Sequence, residues 1–249
     1  MANVAIGTLY LIPTPLGNGE LAWIIPDAVR QRAAELEHYI VEHPKTARRF
    51  LKQIGCIQPL QKIHMSILDE HTPASQLPGL LNPLLEGADV GLLSEAGCPA
   101  VADPGAALVR LAHQGNFRVV PLVGPSSILL ALMASGLNGQ CFAFQGYLPI
   151  EAGRRAKKIA ELEKESIIRN QTQIFIETPY RNQKLAELLV SICRADTSLC
   201  IACNLTLPDE HVATRTIEQW KGYSLDLDKK PSIFLLLGGR SVTPRSPGP

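Results

Sequence analysis

Gly7-Thr-Leu-Tyr-Leu-Ile-Pro-Thr-Pro-Leu-Gly-Asn18 runs a short apolar stretch straight into a loop of proline, glycine and asparagine. Gly7–Ile12 reads as a strand and Pro13–Asn18 as the turn that follows it. The same grammar recurs outward from this point. Further strand candidates stand at Tyr39–Glu42, Gln61–Met65, Asp89–Ser94 and Arg118–Leu122. Helical periodicity fills Pro26–Glu37, Lys45–Ile54, Gln76–Glu86, Gly105–Gln114 and Ser126–Ala134. Short strands alternating with helices predict βαβ units, hence an open, mostly parallel sheet with helices on both faces. Pro26 and Pro104 fall where a first helical turn tolerates proline. Gly55, Gly87, Gly115 and Gly136 fall where helices end.

The pattern changes after Leu137-Asn-Gly-Gln140. Cys141–Phe144 reads as a strand, Gly146–Ile150 as a linker and Arg154–Ile168 as a charged helix. A strand at Thr172–Glu177, a helix at Arg181–Ile192 and strands at Ser198–Cys203 and Ser232–Leu237 follow. We therefore expect two αβ domains, residues 1–138 and a smaller mixed-sheet domain over 139–239. Residues 240–249, with three prolines and no periodicity, are expected to be a disordered tail.

Composition narrows the class. The 249 residues suit one large domain or two modest ones, and 46% apolar content excludes disorder of the whole. A formal charge of +1 excludes nucleic-acid binding through an overwhelming global field, but not through a local basic face. The six cysteines are scattered, and Cys200 and Cys203 would point to opposite faces of a strand, so they read as core residues and no metal site is expected. The sequence shows neither a basic-then-apolar leader nor an apolar stretch of about 20 residues, which predicts a cytoplasmic protein with no membrane span.

Three predicted strands end in loops rich in glycine and proline: Pro13–Asn18, Ser94–Gly105 and Val123–Ser127. Ligands of open parallel sheets bind outside the carboxyl ends of the strands, where small residues let them approach the main chain. Each loop taken alone reads as an ordinary tight turn; three on one edge suggest a cleft lined by backbone. Neither a P-loop nor a Gly-x-Gly-x-x-Gly turn is present.

Five segments in order carry a resemblance: Pro13-Thr-Pro-Leu-Gly-Asn18; Ser94-Glu-Ala-Gly-Cys-Pro with Asp103-Pro-Gly105; Val120-Pro-Leu-Val-Gly-Pro-Ser-Ser-Ile128; Phe144-Gln-Gly-Tyr-Leu-Pro149; and Glu177-Thr-Pro-Tyr-Arg181. Together they resemble the tetrapyrrole methylase superfamily, and most closely its ribosomal RNA small subunit methyltransferase I branch, which methylates a ribose 2′-hydroxyl. The resemblance implies a homodimer that binds S-adenosylmethionine in a cleft between the two domains. It places Pro13, Glu95, Cys98, Ser127 and Ile128 on the cofactor, with Gln145, Gly146 and Leu205 as weaker candidates from the second domain. Three segments depart from the branch. Glu42-His-Pro-Lys45 replaces Glu-Asp-Thr-Arg, Cys203-Asn-Leu-Thr-Leu207 replaces Arg-Glu-Leu-Thr-Lys, and Lys230-Pro-Ser232 replaces Lys-Gly-Glu.

A hydroxyl acceptor must lose a proton, so a carboxylate or histidine is expected within hydrogen-bond reach. Glu42 and Glu177 each end a predicted strand, and Arg181 follows Glu177; a plain structural ion pair is the competing reading of the latter two. His43 and His71 are weaker base candidates; Glu95 and Asp103, which flank the second loop, also read as a helix cap and a surface charge. In the Lys45–Ile54 helix, Lys45, Arg48, Arg49 and Lys52 recur at i, i+3, i+4 and i+7 opposite an apolar stripe. Four like charges at that spacing repel, which points to a polyanionic partner such as RNA. Tyr147 and Tyr180 are the aromatics expected to stack unpaired bases. Two alternatives remain at this level: methylation of a tetrapyrrole or other small acceptor, and a cofactor-binding protein without catalysis.

Overall fold

The computed structural model describes residues 6–223 and 225–239, so the segment expected to be a tail lies outside the described residues. The chain parts into two compact units between Ser126 and Ser127.

In the first unit, β1 (Thr8–Ile12), β2 (His38–Val41), β3 (His64–Ile67), β4 (Val90–Leu93) and β5 (Arg118–Pro121) form a sheet of order β3-β2-β4-β1-β5. Every pairing is parallel. Alternation along the strands builds a core on each face. Ile12, Tyr39, Val41 and Leu93 pack with Val29 and Ala33 of the Asp27–Glu35 helix and with Ala47, Phe50 and Leu51 of the Pro44–Gln53 helix. Leu9, Ile40, Val90 and Leu92 face the other way, onto Leu77, Leu84, Leu108 and Ala112. This is the expected layered arrangement, and its sheet is wholly parallel.

Two local expectations shift. The helix expected over Gln76–Glu86 breaks into turns at Leu77–Leu80 and Asn82–Leu85. Pro78 and Pro83 each lack the N–H a continuous helix needs and instead start a new turn. The third strand begins at His64, three residues later than its apolar pattern suggests, because as an edge strand it is largely exposed and its side chains carry little signal.

The second unit opens with the Ser127–Ser135 helix. Its buried Ala131 and Leu132 and its contacts with the second sheet, including Thr214 Oγ1 donating to the Ser135 carbonyl at 2.7 Å, explain why it belongs there. The sheet runs β6 (Phe142–Tyr147), β7 (Thr172–Ile176), β10 (Ser232–Leu237), β8 (Ser198–Cys203), β9 (His211–Thr216). Only β6 and β7 pair in parallel, so it is the expected mixed sheet. Phe175, Leu199, Ile201, Cys203, Phe234 and Leu236 face Ile159, Leu162, Leu185 and Leu189 of the Ala152–Arg169 and Asn182–Ile192 helices. Cys200 is fully buried as well, but outside that cluster, as strand alternation requires. Gly146 and Tyr147 lie inside β6 rather than in a linker; a register shift between Phe144 and Tyr147, with Gly146 at φ +66°, had disguised the strand.

Candidate active site

The three glycine- and proline-rich loops follow β4, β1 and β5, which are neighbours in the first sheet. They are tied to one another through the main chain. Thr14 and Gly97 exchange both backbone hydrogen bonds at 3.0 Å. The buried Thr14 hydroxyl donates to the Ser94 carbonyl at 3.1 Å, while Ser94 Oγ donates to the Gly97 carbonyl at 2.6 Å. Cys98 Sγ reaches the Pro125 carbonyl at 3.4 Å. A Cβ on Gly124 would stand 2.1 Å from Pro13 Cγ, so only glycine lets these loops close up. Gly97 sits at φ +78°. Pro13, Glu95 and Cys98, placed together by the sequence reading, are thus brought together in one knot. Burial pushes the Cys98 thiol above its usual range, which keeps it protonated.

Beside the knot gather three carboxylates. Glu42 follows β2, Glu95 follows β4, and Asp103 closes the loop after β4. Burial raises the Glu42 carboxyl above its ordinary range, the charge of Glu95 adds to this, and His43 opposes it. Burial likewise lifts Asp103 to about 6, reinforced by Glu42 and Glu95 and opposed by hydrogen bonds from the Ala100 and Glu95 backbone. His43 Nδ1 stands 3.7 Å from Glu95 Oε1, so a protonated imidazole would offset part of this negative charge. His71 lies apart, exposed and 3.5 Å from Glu70.

A cavity of about 350 Å³ opens in the first unit against Thr14–Asn18, Ser94–Ala96 and the Pro44–Gln53 helix. Ala47, Phe50 and Leu51 of that helix are buried, Lys45, Arg48, Arg49 and Lys52 are exposed, and Thr46, Ala47, Arg49, Phe50 and Gln53 border the cavity. The four basic residues share the exposed side of the helix, and Arg49 also borders the cavity. None of the four makes an ion pair among the described residues. Glu95 lines the same cavity, which is where the expected cofactor and substrate sets meet.

In the second unit Glu177 follows β7, Leu205 follows β8, and Gly146 and Tyr147 end β6. The Glu177 side chain is fully buried; its Oε1 accepts from Arg181 Nη2 at 2.6 Å and from the Thr178 backbone at 2.7 Å. Glu177 Oε2 and Arg181 Nε are buried without a partner among the described residues. Leu205 is buried between Asn204 and Thr206, at φ +51° and +70°, the second rare for a β-branched residue. Ser127 and Ile128 begin the first helix of this unit. Gln145 donates to Gln173 Oε1 at 2.8 Å, across to the neighbouring strand. Tyr147 and Tyr180 are exposed.

In the sequence Asp103 reads as a surface charge, and Thr14, Ser94, Thr46 and Gln53 carry no mark that singles them out. The Thr14–Ser94 pair had no signal, since its members are 80 residues apart. The helical stripe Thr46-Arg49-Gln53 was legible at i, i+3, i+7 but was overshadowed by the charges around it. Among the described residues no helix is long and apolar enough to cross a membrane, and no cluster of three metal-ligating side chains occurs.

Residues 26–221 match the family model for tetrapyrrole (corrin/porphyrin) methylases. A ribosomal RNA small subunit methyltransferase I from Vibrio cholerae is 29% identical over 93% of this chain and 77% of its own. The protein of that name from Streptococcus pyogenes serotype M6 is 30% identical over 95% and 78%. The crystal structure of the methyltransferase CobJ superposes on 96% of this chain and 97% of its own, with a TM-score of 0.61 at 17% identity, a likeness of fold. Family model, relatives and fold agree: the chain belongs to the tetrapyrrole methylase family and is one of its methyltransferases, enzymes that use S-adenosylmethionine.

Proposed function

We propose that the protein methylates RNA, at a ribose 2′-hydroxyl of ribosomal RNA, acting as a cytoplasmic homodimer. The observation that carries this reading is the Pro44–Gln53 helix: Arg49 enters the cavity wall beside the backbone knot, and Lys45, Arg48 and Lys52 extend the positive charge outward from it. Phosphates passing along that face would bring a ribose to the cavity mouth.

The residues present fit the cofactor. The Thr14–Gly97 knot offers main-chain groups, the Gly124–Pro13 packing leaves no side chain in the way, and the cavity falls in the range of about 300–1,000 Å³ typical of small-molecule sites. Pro13, Glu95 and Cys98 are the first unit's residues that would hold it, and Ser127, Ile128, Gly146 and Leu205 are the second unit's candidates. When bound, S-adenosylmethionine supplies a methyl group made electrophilic by its sulfonium. The task of the chain is to align the acceptor oxygen and take its proton. Glu42 is assigned the proton, because a carboxyl held above its ordinary range is a better base near neutral pH than a fully solvated one. Arg49 orients the phosphate next to the acceptor ribose. Glu177 and Arg181 are assigned a supporting role in the second unit, holding the turn after β7 while Glu177 Oε2 remains able to accept a further hydrogen bond.

Transfer of labelled methyl to fractionated RNA and small-molecule pools, taken from cells lacking the protein, tests the reading. Label in ribosomal RNA, lost with Glu42→Gln, is expected. Label confined to a small-molecule fraction overturns the RNA assignment.

A further inference from the structure

Trp23 is the most exposed large apolar side chain among the described residues, at 86%, and the function proposed above does not use it. It sits on the Leu21–Ile24 turn, five residues after Asn18 of the cavity wall. Leu21 and Ile24 lie against the core cluster that contains Ala47, Phe50 and Leu51, the buried face of the basic helix. The turn is therefore anchored to the same core as that helix, and Trp23 is what it turns outward. Apart from the Trp23 backbone bond to the Glu20 carbonyl at 3.1 Å, the residue makes no hydrogen bond, ring contact or cation contact among the described residues. An indole left this bare is costly to solvate and is the side chain with most to gain from a flat partner.

We propose that Trp23 is a stacking platform for an unpaired nucleobase of the RNA whose phosphates run along Lys45, Arg48, Arg49 and Lys52. The inference rests on the RNA reading and adds that the substrate is single-stranded or looped where it meets the first unit. Charge decides between occupants. A neutral apolar peptide would gain nothing from four cations without acidic partners, and the single Glu20 on the turn does not balance them. A nucleotide strand uses both features at once, since each base has a face to stack and each phosphate a charge to pair.

The two tryptophans make a direct test. Trp220 is 4% exposed with its Nε1 bonded to the Leu199 carbonyl at 2.9 Å, so changes in emission on titration report Trp23. Titration with a short single-stranded oligouridylate is expected to quench that emission, whereas a duplex RNA of equal length binds without quenching. Trp23→Ala should weaken oligouridylate binding roughly 5- to 100-fold, with Trp23→Phe between, and leave the unfolding temperature unchanged. If wild type binds oligouridylate but its emission is static and Trp23→Ala binds equally well, the stacking proposal fails while the RNA reading stands. If Trp23→Ala converts a dimer to a monomer, the indole covers a second copy and the proposal is overturned. Failure of the wild type to bind any RNA at low salt overturns the RNA reading itself, and the stacking proposal with it.

Discussion

Asp103→Asn tests whether the carboxylates beside the backbone knot are held together against their own repulsion. Burial, helped by the charges of Glu42 and Glu95, lifts Asp103 from 3.8 to about 6. That interval corresponds to about 3 kcal/mol, and because the group keeps part of its hydration we discount this to about 1–2 kcal/mol. The sign follows from linkage. The folded state binds this proton more tightly than the unfolded chain, so the stabilisation is complete below about pH 4 and is lost as the pH rises through about 6. Asparagine keeps an oxygen to accept from the Ala100 and Glu95 backbone but cannot ionise. Relative to wild type, the variant should therefore gain nothing at about pH 4, gain progressively between about pH 4 and 6, and level off about 1–2 kcal/mol more stable above that. Urea unfolding of both proteins across this range measures the difference directly. A gap that stays constant with pH, or an asparagine variant less stable than wild type at about pH 8, would refute the reasoning, because the carboxylate would then be stabilised by its surroundings.

Gly124→Ala drives a Cβ to 2.1 Å from the Pro13 ring, which cannot rotate away; a loss of about 1–3 kcal/mol and a fall of several degrees in unfolding temperature are expected by calorimetry, with weaker S-adenosylmethionine binding by titration calorimetry. Arg181→Ala strands the fully buried Glu177 carboxylate and should cost about 3 kcal/mol in chemical unfolding, whereas Glu177→Gln costs less; a loss below about 0.5 kcal/mol from Arg181→Ala would remove the supporting role assigned to the pair. Replacing Lys45, Arg48, Arg49 and Lys52 together with alanine should reduce the slope of log affinity against log salt for single-stranded RNA by up to about 3, read from fluorescence anisotropy.

What could be read in the sequence followed how far each signal depends on residues near in the chain. β1, β2, β4 and β5 are short apolar runs punctuated by proline or glycine, and their positions came through within a residue or two. β9 did not, because His211-Val-Ala-Thr-Arg-Thr216 is an edge strand whose polar residues show no clean alternation, and pairing with β8 alone identifies it. The candidate site divides in the same way. Pro13, Glu95 and Cys98 sit in loops whose glycine and proline content marks them, and family resemblance supplied their grouping. The partner that fixes them, Thr14, is an unremarkable threonine until Ser94 and Gly97 arrive from the end of the neighbouring strand, distant only in sequence. Ala100 and Ala102 adopt φ of +64° and +57°, a conformation that alanine does not advertise, and it is this fold-back that turns Asp103 from a surface charge into the third carboxylate. Trp23 was hidden in Leu21-Ala-Trp-Ile-Ile25, where an apolar run reads as core throughout.

The departure from the RNA-methylating branch after β2 has a physical consequence at the same place. Where that branch carries Asp-Thr, this chain carries His43-Pro44. An aspartate or threonine could cap the following helix with its side chain; His43 caps nothing, and Pro44 compensates by occupying the first turn with no N–H to satisfy. His43 is therefore free to lean toward Glu95 at 3.7 Å. The exchange replaces a carboxylate with an imidazole beside Glu42 and Glu95, where Glu95 already raises the cost of ionising Glu42 and both raise that of Asp103. An acid missing from the family's pattern is thus not a simple loss of chemistry. With one carboxylate fewer beside it, Glu42 ionises more readily than it would next to an aspartate, which suits the base role proposed for it.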